Sequence, residues 1–317
     1  MISKVSKIAI VGCGFVGSST AFSLVTQGVC DEVLMVDVNE QKAIGEVLDL
    51  RDSIKYLERN VKINYGSLSD CGDADIVVLT AGAKILPGQT RLATLESGAR
   101  IMKAIVEPIM ESGFEGIFIV IANPVDMLAH YVYKLSGLPK NQVIGTGTAL
   151  DTSRLQNYIA EIVNVDPRSV SAYSMGEHGD SQMVPWSTVT VAGKSLQDII
   201  EDHPEQFGNL DYDEIVRKTV KKGWEIVEKK GTTYYGIATT CVGIIKAILY
   251  NENIIIPVST LLEGEYGVNG VFAGVPAILN HTGVSDILEM HMTQEELLRF
   301  QQSAEVIRKY TNQIINQ

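Results

Sequence analysis

Short runs of consecutive apolar residues recur through the first half of the chain, separated by longer stretches with helical spacing. The runs are Lys7–Val11, Val33–Val36, Val61–Tyr65, Ile76–Leu79, Ile117–Ile121 and Val143–Ile144. Most are continuous rather than alternating, as expected of parallel strands covered on both faces. The intervening segments, such as Phe15–Gln27 and Arg91–Ser112, are long enough for crossover helices. This β-α-β rhythm predicts an α/β fold on a doubly wound parallel sheet. After about residue 150 the rhythm breaks. A helical pattern at Thr152–Val163, a turn at Asp166-Pro167 and a strand-like Ser169–Tyr173 lead to Gly176-Glu177-His178-Gly179-Asp180. A polar stretch around His203 and a helical pattern at Tyr212–Lys230 follow. Near the end, Thr293 and Glu296 have capping-box spacing. Behind them Leu297, Phe300, Ala304, Ile307 and Ile314 keep to one helical face. The reading is therefore two closely packed domains, residues 1–146 with the parallel sheet and residues 147–317 as a mixed α+β unit, with no linker or repeat between them.

Composition narrows the function classes. A length of 317 residues suits two domains, and 45% hydrophobic with 20% charged residues is an ordinary globular balance. The net charge is −12 and no basic stripe gathers the lysines and arginines, which argues against nucleic acid and anionic membrane as partners. The four cysteines form no C-x-x-C pair and no zinc spacing. Reduced thiols, no metal site and a cytoplasmic location are expected. The apolar run Ile8–Val11 is too short for a signal peptide, and no other run approaches a membrane span.

Gly12-Cys13-Gly14-Phe15-Val16-Gly17 is a G-x-G-x-x-G. In isolation it could be a glycine-rich turn. Here it follows an apolar strand, opens a helical segment, and is followed twenty residues after Gly17 by Asp37 at the end of the second strand. That is the dinucleotide-binding pattern of a Rossmann sheet: glycines admit a pyrophosphate to a helix N-terminus, and a carboxylate accepts from ribose hydroxyls. Asp37 also repels a 2′-phosphate, and Val38-Asn39 supplies no arginine to hold one, so NAD is favoured over NADP.

Three further segments could carry chemistry. Pro87-Gly88-Gln89-Thr90-Arg91 follows the fourth strand, where ligands of doubly wound sheets sit, although a solvated loop arginine is the plainer reading. Asp151 and Arg154, three apart, share a helix face and could be a surface ion pair. Of the five histidines, only His178, between glycines, has a setting that could present an imidazole to a small ligand.

Taken together these segments resemble the L-lactate/L-malate dehydrogenase family. The likeness runs through Gly12–Gly17, Asp37, Thr80-Ala81-Gly82-Ala83, Pro87–Arg91, Asn123-Pro124-Val125-Asp126, Val143–Thr148, Leu150–Arg154, Gly176–Asp180 and Gly231-Thr232-Thr233-Tyr234-Tyr235-Gly236. The Gly-Glu-His-Gly-Asp-Ser and Thr-Tyr-Tyr-Gly segments look most like the bacterial lactate dehydrogenase branch. The resemblance implies a reversible NADH-dependent reduction of pyruvate, or a related 2-oxo acid, to the L-2-hydroxy acid. His178 would be the proton donor, Asp151 its partner, and Arg91 the group that polarises the carbonyl. Arg154 would clamp the substrate carboxylate, Asn123 and Thr233 would line the pocket, and Ile237 would press on the nicotinamide. Gly12, Gly14, Phe15, Val16, Gly17, Asp37, Ala81, Gly82 and Asn123 would hold the cofactor. A homotetramer or homodimer is implied as well.

Two departures from the family pattern bear on specificity. Ile85 stands where malate enzymes carry an arginine and lactate enzymes a glutamine. Malate is disfavoured, and bulkier apolar 2-oxo acids such as 2-oxoisocaproate or phenylpyruvate stay open beside pyruvate. Gln156 and Ser171 replace the arginine and histidine with which many bacterial relatives bind fructose-1,6-bisphosphate. From another class, a non-catalytic NAD-binding protein would not need Arg91, Asp151, Arg154 and His178 together.

Overall fold

The computed structural model describes residues 5–82 and 91–315. Six parallel strands stand where the apolar runs predict them: β1 (Lys7–Val11), β2 (Glu32–Val36), β3 (Lys62–Tyr65), β4 (Ile76–Leu79), β5 (Ile117–Val120) and β6 (Val143–Gly145). Their order is β6-β5-β4-β1-β2-β3, the doubly wound arrangement, which reverses direction between β1 and β4. The crossovers carry α1 (Phe15–Thr26), α2 (Glu40–Ser53), α3 (Arg91–Glu111) and α4 (Val125–Ser136). Burial on both faces explains the continuous apolar runs. Ile8 and Ile10 of β1 enter one core with Leu24 and Val25, while Ala9 and Val11 enter another with Leu95, Met102 and Leu128.

Beyond β6 come α5 (Ala149–Val163) and a small sheet of β7 (Val170–Ser171), β8 (Thr190–Val191) and β9 (Lys194–Ser195). The strand expected over Ser169–Tyr173 is thus only two residues long. Its neighbours leave the ladder to form the turn that carries His178. Next are α6 (Leu196–Asp202), α7 (Pro204–Phe207), α8 (Tyr212–Lys230) and α9 (Tyr235–Leu249). A third core, centred on Leu155, Ile159, Val189 and Ile215, lies beneath this part of the chain.

The large sheet does not end at β6. An antiparallel meander of β10 (Ile254–Glu263), β11 (Asn269–Asn280) and β12 (Gly283–Ile287), which the sequence pattern did not mark, extends it to nine strands. The junction is a single pair, Ser259 opposite Gly145. Glycine is required here by close approach. A Cβ on Gly145 would stand 2.9 Å from the Ser259 Cβ, and one on Gly147, itself at φ +50°, 2.5 Å from the Ser259 nitrogen. The last helix, α10 (Gln294–Ile315), buries Phe300, Ala304, Ile307 and Ile314 as its spacing predicts. Among the described residues no helix is long and apolar enough to cross a membrane.

Candidate active site

The carboxyl ends of β1, β2, β4 and β5 meet at the strand-order reversal, and the glycine loop begins there. Its three glycines answer three constraints. Gly12 has φ +107°, and a Cβ on it would meet the Ala81 nitrogen at 2.7 Å. A Cβ on Gly17 would stand 1.8 Å from the Gly12 carbonyl oxygen, so α1 can close on the loop only without one. Among the described residues nothing stands where a Cβ on Gly14, the N-cap of α1, would be, and no side chain makes a cap bond there. Thr80 locks the loop by donating from Oγ1 to the Gly12 oxygen at 2.8 Å. The Asp37 carboxylate accepts from the Cys13 N–H at 2.6 Å and the Asn39 N–H at 2.8 Å. An uncapped helix N-terminus, an unfilled glycine surface and a fixed acceptor at the end of β2 fit a dinucleotide. Val16 and Ile237 are half-buried against the same core, and Phe15 stacks on Tyr234 with ring centroids 5.3 Å apart.

Asp151 is in the first turn of α5 and Arg154 one turn on, so both side chains lie on one face. This is not a surface pair: their side chains are 2% and 13% exposed. Arg154 Nη1 bonds Asp151 Oδ1 at 3.1 Å, and Asp151 Oδ2 meets His178 Nδ1 at 2.5 Å. His178 comes from the turn after β7 and keeps 27% of its side-chain surface open. Burial opposes charge on the imidazole, but the Asp151 carboxylate and its hydrogen bond, helped by Asp126, hold the His178 pKa above its ordinary value. Burial likewise opposes ionisation of Asp151, yet His178 and Arg154 hold its pKa below the usual range. The arrangement favours the protonated ring, beside a guanidinium. It can protonate an oxygen on a substrate that carries a carboxylate.

Three other elements hold the His178 turn. Asp126 in the first turn of α4 accepts from the His178 N–H at 2.8 Å. Gly176 and Gly274 of β11 exchange backbone hydrogen bonds. Ser303 of α10 accepts from the Glu177 N–H at 2.9 Å, and a Cβ on Gly176 would meet its Oγ at 2.4 Å.

The predicted residues therefore separate into those brought together and those left apart. Gly12, Gly14, Phe15, Val16, Gly17, Asp37, Ala81 and Gly82 form the loop region, and Asp151, Arg154 and His178 are joined by hydrogen bonds. Asn123, at the end of β5 and exposed, precedes a cis peptide bond to Pro124, and Thr233 is half-buried just ahead of α9. Ile85, Ala83, Pro87 and the Arg91 side chain lie outside the described residues. Gln156 donates to the Ala172 carbonyl at 3.1 Å, and Ser171 is exposed on β7. Thr80, Asp126, Gly274 and Ser303 carried no role in the sequence. Asp126 reads as an ordinary first-turn acid, and Ser303 as a polar lapse on an apolar helix face.

Two family models match nearly the whole chain: the NAD-binding domain of lactate/malate dehydrogenase over residues 6–145 and its α/β C-terminal domain over 148–317. The chain belongs to the lactate/malate dehydrogenase family. Among the proteins it resembles, L-lactate dehydrogenase 3 of Bacillus thuringiensis subsp. konkukian is 50% identical over 308 residues, covering 97% of this chain and 98% of that one. L-lactate dehydrogenase 1 of Bifidobacterium longum subsp. longum is 45% identical and covers 96% of each. The solved minor L-lactate dehydrogenase from Enterococcus mundtii, in its ligands-bound form, is 44% identical with a TM-score of 0.94 and covers 98% of both chains. The NAD-binding half of this family is the half that carries the glycine loop and Asp37.

Proposed function

We propose that this chain is an NAD-dependent L-lactate dehydrogenase that interconverts pyruvate and L-lactate. The observation that carries the reading is the hydrogen-bonded series Arg154–Asp151–His178. NAD, when bound, supplies and takes back the hydride. Arg154 has one guanidinium nitrogen on Asp151 and offers its fork to the substrate carboxylate, which fixes the substrate's orientation. With Nδ1 committed to Asp151, His178 gives the proton on Nε2 to the carbonyl oxygen during reduction and takes it from the hydroxyl during oxidation. The family pattern assigns carbonyl polarisation to Arg91, pocket lining to Asn123 and Thr233, and nicotinamide contact to Ile237. In this reading residues 1–146 bind cofactor and residues 147–317 bind substrate, and the protein works as a cytoplasmic homotetramer or homodimer.

A second reading is favoured by Ile85, whose apolar side chain suits the larger groups of 2-oxoisocaproate or phenylpyruvate. Hydrophobic pockets discriminate by only about 1–3 kcal/mol per methylene, so both readings predict some use of longer acids. The deciding experiment compares kcat/KM with NADH for pyruvate, oxaloacetate, 2-oxoisocaproate and phenylpyruvate. Pyruvate should lead and oxaloacetate should trail by orders of magnitude. A clear lead for a bulky acid replaces the first reading with the second, and a lead for oxaloacetate sinks both.

A further inference from the structure

His178 is surrounded by charge from two helices, and the mechanism above uses only one of them. From α5 come Asp151, on the ring, and Arg154 behind it. From α4 comes Asp126, which holds the backbone of the same residue. The other supports, Ser303 of α10 and Gly274 of β11, are uncharged. Within the turn, Glu177 is engaged with Ser181, and Asp180 is exposed. A charge count of the buried groups gives Asp126 a task. Among the described residues, and before a substrate carboxylate arrives on Arg154, Asp151 and Arg154 cancel, so a proton arriving on His178 leaves a positive charge without a counter-ion unless Asp126 is ionised. Asp126 is 1% exposed, and a carboxylate so deep is costly without compensation. Burial does push its pKa up. Against that act the nearby Ser259 hydroxyl of β10, the His178 N–H and the charge of the protonated imidazole, with Asp151 opposing them. Burial outweighs them, so the Asp126 pKa stays above its ordinary value, and its Oδ1 has no hydrogen-bond partner among the described residues. The carboxylate also lies in the first turn of α4, where the helix dipole favours an anion. Because it acts through the backbone and through space, it leaves Nε2 unencumbered.

We propose that Asp126 is a positioning residue for proton transfer: its carboxylate anchors the turn that carries His178 and serves as counter-ion to the imidazolium. This rests on the reading of His178 as proton donor. A purely structural Asp126 would support the turn equally well with an amide.

The test is Asp126→Asn, whose amide oxygen can still accept from the His178 N–H but carries no charge. In the variant the alkaline limb of kcat/KM for pyruvate reduction should move to lower pH by about one unit, and the limb for lactate oxidation should move the same way. Asp126→Ala, which also loses the backbone anchor, should in addition lower the plateau. Independently of turnover, the ring C–H resonance of His178 in the NADH-saturated protein, assigned by its loss in His178→Asn, should titrate at correspondingly lower pH. If Asp126→Asn does not fold, the shift is read from Asp126→Ala instead. Profiles and a His178 titration that overlay the wild type in the folded variant overturn the proposal. Absence of turnover with every 2-oxo acid defeats the functional reading instead, while the His178 titration still decides the part played by Asp126.

Discussion

Asp151 occupies Nδ1 of His178, and in the proposed mechanism that one hydrogen bond decides which ring nitrogen meets the substrate. Asparagine at 178 keeps polar bulk but has no transferable proton. His178→Asn should bind NADH almost normally and turn over about 10²–10⁴-fold more slowly, the usual worth of a positioned acid. Fluorescence titration and steady-state rates check the two halves, and near-wild-type turnover removes His178 from the mechanism. Asp37 is held by two backbone N–H groups, so its carboxylate is a fixed acceptor and a fixed negative charge. Asp37→Ser should weaken NADH and narrow the preference over NADPH, because serine neither repels a 2′-phosphate nor accepts as strongly. Equal use of both cofactors by the unaltered enzyme would contradict this role. Gln156 spends its amide N–H on the Ala172 carbonyl, and Ser171 is neutral. A bisphosphate needs charge-assisted hydrogen bonds to overcome its hydration. Fructose-1,6-bisphosphate should therefore leave the pyruvate KM unchanged, and a substantial fall on adding it would refute the expectation.

Elements turn these residues into a site, and α10 shows how. Glu296 closes the predicted capping box by accepting from the Thr293 N–H at 2.9 Å, and also accepts from the Ser187 N–H at 2.9 Å and its hydroxyl at 2.5 Å. One carboxylate thus caps the helix and ties it to the segment following the His178 turn, while Ser303 farther along braces that turn. Glu296→Ala should cost about 1–2 kcal/mol in urea unfolding, as a lost cap and its hydrogen bonds usually do. An unchanged midpoint would mean that neither bond contributes. The capping box was legible because it is local, set by two residues three apart. So were β1 to β6, whose two-sided burial leaves unbroken apolar runs; Asp151, Arg154 and His178 stood out together only through the resemblance to the family pattern, since spacing left the first two as a possible surface ion pair. The meander was not legible. Pro257 sits inside β10, and Gly270 and Gly274 inside β11, signals that ordinarily demote a strand. They are tolerated because Pro257 faces Pro276 in register and Gly274 lets Thr148 and the His178 turn approach. Asp126 and Ser303 were hidden for the same kind of reason: their partners are 52 and 126 residues away.

At the scale of the whole molecule, the parallel sheet and the meander are joined through α4, β11 and α10, and a histidine is buried at that joint. His130 of α4 is 7% exposed, packs on Phe272 of β11 with ring centroids 5.3 Å apart, and has no hydrogen-bond partner for Nδ1 among the described residues. Burial, then the positive charges of Lys134 and Arg308, push its pKa down from 6.5 to about 4. The sign of the linkage follows. Between those values the unfolded chain takes up a proton that the folded chain refuses, so stability contributed by a neutral His130 is complete above pH 6.5 and is lost as pH falls toward 4. Each unit of that interval is worth about 1.4 kcal/mol, so acidification to near pH 5 should cost on the order of 2 kcal/mol through this residue alone. Phenylalanine at 130 has no proton to take up and leaves no unpaired nitrogen in the aromatic cluster. His130→Phe should consequently resemble the wild type in urea unfolding near pH 8 and exceed it near pH 5, by about 2 kcal/mol. Because α4 carries both His130 and Asp126, unfolding driven by that proton also dismantles the helix that anchors the His178 turn. Activity lost in acid should therefore return partly in the same variant. Unfolding curves for variant and wild type that fall in parallel between the two pH values would show that the joint does not sense acid through His130.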